Sequence, residues 1–139
     1  MRLNNQRTWD LLVKIQEANK DVVFVGGMAE MMQGKRKFTS DIDICVLNID
    51  GLEIFGEIKE WETTSPVSIS GKRAGIENDE IILDIFIENE LPETVEISGL
   101  RFETLESLKT RYERVISQID PKQSAFKALL IENLRNLTE

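Results

Sequence analysis

Histidine is absent from the chain, and cysteine occurs once. The first absence removes the commonest general base and the usual zinc ligand, so carboxylates or lysine must carry any acid–base work. The single cysteine, Cys45, lies inside an apolar run and reads as packing rather than as a thiol nucleophile. Long hydrophobic runs are also missing: nothing approaches the roughly 18–20 apolar residues of a membrane span. The first ten residues, MRLNNQRTWD, lack the apolar core of a signal peptide. The chain is therefore expected in the cytoplasm, away from membranes.

Positive charge is in deficit as well. The net charge of −8 disfavours extended nucleic-acid binding, because each phosphate contact draws on lysine or arginine. The cations that exist are clustered at Lys35-Arg36-Lys37 and at Lys72-Arg73. Local positive charge on an acidic surface suits a phosphate-bearing small molecule better than a long polyanion, and an RNA end remains compatible with it. The 139 residues suit a single domain.

Residues 22–49 organise the rest. Val22-Val23-Phe24-Val25 reads as a buried strand, broken by Gly26-Gly27 into a short helical pattern with Met28, Ala29, Met31 and Met32. A strand that gives way at glycines to a helix exposes backbone N–H groups, which makes an anion site. In Asp41-Ile42-Asp43-Ile44, alternation sends the two aspartates to one face and the isoleucines to the other. The carboxylates would stand about 6–7 Å apart along the strand, from two rises of roughly 3.3 Å. Their repulsion is on the order of 2–3 kcal/mol at an effective dielectric of about 20, and a divalent cation would reverse its sign. Oxygen donors of this kind suit Mg2+ or Mn2+.

Elsewhere, residues 8–19 show helical spacing with Trp9, Leu12, Val13 and Ile15. Residues 48–61 suggest a helix opened near Asp50, and Pro66-Val67-Ser68-Ile69 a short strand. Gly71 to Gly75 reads as a basic turn, and Ile81 to Ile87 as the most hydrophobic strand. Asp84 sits inside that strand between Ile82 and Phe86, where a lone buried carboxylate is costly unless paired or bound to a cation. Val95-Glu96-Ile97 and Leu100-Arg101-Phe102 are expected as strands, and Thr104 as the start of a helix towards Ser117. Asp120-Pro121 predicts a C-terminal helix over about 120–138, striped by Phe126, Leu129, Leu130, Asn133, Leu134 and Leu137. The expected architecture is α+β, a small mixed sheet with helices packed mainly on one face.

Gly26-Gly27 opening a helix, then Thr39-Ser40-Asp41-Ile42-Asp43-Ile44, then Leu83-Asp84-Ile85-Phe86, resembles the nucleotidyltransferase superfamily of the DNA polymerase β type. Within it, the pattern is similar to that of antibiotic adenylyltransferases and of the nucleotidyltransferase toxins of AbiE-type systems. The resemblance covers roughly residues 21–112 of one domain spanning 1–139, and includes the segment GLRFETLESLKTR after the third aspartate. It implies the polymerase β-like fold and an ATP-binding or other nucleoside triphosphate-using enzyme. Asp41, Asp43 and Asp84 would be the catalytic and metal-holding residues for Mg2+ or Mn2+. Gly26, Gly27, Thr39, Ser40, Lys35, Arg36 and Lys37 would bind the nucleotide. A nucleoside monophosphate would pass to a hydroxyl of a small-molecule, protein or RNA-end acceptor, with release of pyrophosphate. The alternative is a catalytically silent module of the same fold, antitoxin-like or a partner subunit. A chain this short has room for a second copy of itself or a partner protein.

Overall fold

The computed structural model describes residues 5–35 and 41–138. Helix α1 (Asn5–Ala18) leads to β1 (Val23–Val25), and α2 (Gly26–Met32) follows it without a break. β2 (Ile42–Val46) continues through one 3-10 turn, Leu52–Phe55, to β3 (Lys59–Glu62), β4 (Lys72–Glu77) and β5 (Ile82–Ile87). β6 (Thr94–Ile97), β7 (Leu100–Glu103), α3 (Leu105–Gln118) and α4 (Ser124–Thr138) follow in order. The protein is α+β, with one seven-stranded mixed sheet in the order β3-β4-β5-β2-β1-β7-β6. Among the described residues no helix is long and apolar enough to cross a membrane.

Strand alternation divides the sheet into two faces with different chemistry. Phe24, Ile42, Ile44, Val46, Leu83 and Ile85 join Leu12 and Ile15 of α1 and Met28 and Ala29 of α2 in the main core. Phe24 and Phe102 meet there across β1 and β7, ring centroids 5.5 Å apart. Val23, Val25 and Cys45 form a smaller apolar cluster with Phe86 on the other face. Asp43 and Asp84 share that second face by parity, so the hydrophobic pattern of β2 and β5 turns both aspartates away from the main core. Thr104 caps α3 by accepting a hydrogen bond from the Ser107 N–H at 3.1 Å.

Ile85 is fully buried in the main core. Ile85→Ala is expected to cost about 2–5 kcal/mol of unfolding free energy, measured in urea, because it leaves a cavity that the sheet cannot close. A loss well below that range would contradict the burial of Ile85 in the main core.

Five expectations need correction. The sheet is not small, because two segments expected as other structures add strands at one edge. Residues 48–61 form no helix: Gly51 adopts φ +84 ahead of a single 3-10 turn, and Lys59–Glu62 is already strand. The basic turn at 71–75 is largely strand β4, whose only inward apolar side chains are Ala74 and Ile76. Pro66 to Ile69 is a turn instead of a strand, held by the Glu88 carboxylate, which accepts from Ser68 Oγ and from the Ile69 and Ser70 N–H groups. The C-terminal helix starts at Ser124, later than Asp120-Pro121 suggested, because Asp120 instead accepts from the Lys122 and Gln123 N–H groups in a turn. Of its expected apolar stripe, Leu130 is buried.

Candidate active site

Two strand pairings build the site. β1 and β2 are antiparallel with Val25 opposite Asp43, and β2 and β5 are parallel with Asp43 opposite Asp84. Neighbouring strands run about 4.8 Å apart, so the two carboxylates stand side by side at the sheet end where β1 turns into α2. On the far side of Asp84, β4 places Gly75 opposite it. That position carries no side chain to crowd the carboxylate, and a Cβ there would press on the Trp61 ring carbons at 3.3 Å.

The glycine turn closes the other side. Gly26 has φ +59, and a Cβ on it would collide with Asp43 Oδ2. Gly27 is buried behind it. The helix they open has seven residues, so its dipole is a minor contributor, and the close approach of backbone to carboxylate is the feature that specifies glycine.

Electrostatics mark Asp43. Burial is the main cause that raises its pKa from the ordinary 3.8 to about 7, followed by the charges of Asp84 and Asp41 and a hydrogen bond with Asp84, while Arg73 opposes the rise. Folding thus favours the protonated carboxyl. From about pH 4 to about pH 7 the folded chain holds a proton that the unfolded chain has released, so Asp43 lowers stability progressively as pH rises through that window. Without divalent cations, the stability difference between Asp43→Asn and wild type is expected to grow in favour of the variant across that range. Urea unfolding at stepped pH checks this, and a difference that stays flat would contradict the burial of this charge.

Asp43 and Asp84 open onto a cavity of about 470 Å3. That volume falls in the roughly 300–1,000 Å3 range of small-molecule sites. Gly26 and Gly27 line it at one end, Arg73, Phe86 and Arg111 at the side, and Phe126, Leu129 and Leu130 of α4 across from the sheet. Arg111 was not expected from the sequence, and Arg73 was noted there only within the Lys72-Arg73 cluster, not among the nucleotide-binding residues. The signal for Arg73 was present in the alternation of β4, where Lys72 is exposed and Arg73 faces the same way as Phe86. Cys45 also borders this face, but burial pushes its thiol up to about 12, which excludes a thiolate nucleophile near neutrality.

The expected site residues separate accordingly. Gly26, Gly27, Asp43 and Asp84 come together in one cavity. Asp41 precedes β2 and is half-buried, and its charge is felt at Asp43. Lys35 follows α2, its N–H donating to the Glu30 carbonyl at 2.8 Å. Arg36, Lys37, Thr39 and Ser40 lie outside the described residues. Among the described residues, no three His, Cys, Asp or Glu side chains are grouped so as to hold a metal ion. The Asp43–Asp84 pair nevertheless has the donor chemistry of a divalent-cation site: hard oxygens, partly desolvated and mutually repelling. No family model, curated protein or solved structure matches the chain.

Proposed function

We propose that the protein is a nucleotidyltransferase of the polymerase β-like kind, which moves a nucleoside monophosphate from a nucleoside triphosphate to an acceptor hydroxyl in the cytoplasm. The observation that carries this reading is the register of β2 and β5, which sets Asp43 beside Asp84 in a cavity next to the Gly26 turn. Asp43 and Asp84, with Asp41 adjacent, would hold Mg2+ or Mn2+. When bound, the cation neutralises charge on the triphosphate and on the leaving pyrophosphate.

The residues of the chain do the positioning. Asp43 and Asp84 fix the nucleotide end of the cavity, and Asp84, beside Asp43 in the β2–β5 register, is placed to receive the acceptor's proton. The acceptor oxygen forms a bond to the α-phosphorus, and the bond from that phosphorus to the bridging oxygen breaks. Its electron pair leaves with pyrophosphate. The bare backbone at Gly26 lets the turn pack against Asp43 without displacing its carboxylate. α4 contributes Phe126, Leu129 and Leu130 to the cavity wall.

Transfer of label from the α-phosphate of each nucleoside triphosphate, with Mg2+ or Mn2+ and a panel of small-molecule, protein and RNA acceptors, tests the reading. Label should appear on an acceptor in a metal-dependent manner. A panel without transfer would favour the silent binding module. That second reading draws on α4, where Phe126, Leu129 and Ile131 are 37%, 56% and 39% exposed. Apolar side chains left uncovered in this way suit a partner protein or a second copy.

A further inference from the structure

The cavity contains two cations for which the carboxylate pair gives no role. Arg73 on β4 and Arg111 on α3 both line it, and both reach the same ring. Their guanidinium carbons lie 4.4 Å and 5.8 Å from the Phe86 centroid. Arg73 also stacks on Trp61 at 5.3 Å, so two aromatic rings hold its guanidinium in place. Its Nε is buried and makes no hydrogen bond. Arg111 pairs with Glu103 at 3.1 Å.

Two guanidinium groups converging on one ring repel each other, and a buried N–H without an acceptor is unfavourable. The repulsion is relieved if a ligand in the cavity brings anionic oxygens to the guanidinium groups. Asp43 and Asp84 do not serve as that acceptor: neither takes the Arg73 Nε, although the Arg73 charge lowers the proton affinity of Asp43.

We infer that Arg73 and Arg111 seat the polyphosphate end of a nucleotide whose reacting phosphorus lies at the Asp43–Asp84 pair. This rests on the nucleotidyl-transfer reading for the reaction, and it assigns the phosphate-binding cations to β4 and α3. A polyphosphate fits better than a single carboxylate, because the two arginines approach from different elements and each presents a fork to its own set of oxygens. Held on aromatic rings, Arg73 loses little freedom on binding.

The test is calorimetric titration of inorganic tripolyphosphate, of a nucleoside triphosphate with a non-cleavable α,β-bridge, and of the matching nucleoside. Arg73→Met should weaken both polyphosphate ligands by roughly 10- to 100-fold, the range for a lost charge-assisted hydrogen bond, and leave the nucleoside unaffected. Arg111→Met leaves Glu103 buried without its cation, so it is made together with Glu103→Gln, and the same loss is expected. Lys72→Met, exposed and next in sequence to Arg73, serves as the control and should bind like wild type. Unchanged polyphosphate affinity in folded Arg73→Met and in the double variant overturns the inference, even if label transfer succeeds. Arginine-dependent polyphosphate binding without any label transfer upholds the arginine seat and removes the enzyme reading instead.

Discussion

Asp43→Asn and Asp84→Asn should each lower nucleotide transfer by about 1,000-fold or more while the protein remains folded, a size that combines lost cation positioning with lost proton transfer. The two substitutions keep the shape of the side chain and remove its charge. Asp43 is half-buried at the end of β2, and in the absence of a divalent cation its charge is unfavourable, so Asp43→Asn should unfold no earlier than wild type. Activity falling while stability holds or rises is what separates a functional carboxylate from a structural one. Rates come from label transfer and stability from urea unfolding of the same samples. Transfer that survives in Asp43→Asn would remove the proposed mechanism.

Gly26→Ala should have an effect of similar size by a different route. At φ +59 an alanine pays the left-handed backbone cost, about 1–2 kcal/mol. Its methyl group must also displace Asp43 Oδ2, so the carboxylate that defines the site moves. Stability and transfer should therefore fall together. Gly34→Ala is the control, since Gly34 also has a positive φ, +79, but a Cβ there meets nothing within 4 Å. It should lose stability and keep transfer. If Gly26→Ala transfers label at the wild-type rate, close packing of the turn against Asp43 has no part in function.

The elements that carry the site were legible because their signals are local. β1 ends at two glycines, and β2 and β5 alternate so that Asp43 and Asp84 share a face opposite the isoleucines. The register that makes them neighbours is a tertiary property. β5 follows β4 in the chain, yet it pairs with both β4 and β2, and no spacing within the sequence encodes that. The edge strands were missed for a related reason. β3 (KEWE) is exposed throughout and β4 (KRAGIE) buries little besides Ala74 and Ile76, so their strand character comes from backbone pairing more than from a hydrophobic pattern. Reading 71–75 as a turn hid Arg73, whose inward direction follows only once residue 72 is known to be in a strand. Arg111 was hidden differently: on an amphipathic helix it reads as solvated surface, and only the packing of α3 turns it towards Glu103 and Phe86. The later start of α4 reflects competition at Asp120, whose side chain and carbonyl close a turn before the helix can begin.

Whether Asp43 and Asp84 form a divalent-cation and nucleotide site can be tested without knowing the acceptor. The most direct measurement is titration of Mn2+ into wild type and into Asp43→Asn and Asp84→Asn, with a non-cleavable nucleoside triphosphate present. Bound Mn2+ is read from the loss of the free-ion magnetic resonance signal. Wild type should take up Mn2+ beyond what the nucleotide alone binds, its melting temperature should rise as it does so, and both effects should be lost in each variant. Equal Mn2+ uptake by wild type and both variants would contradict a cation site at this pair.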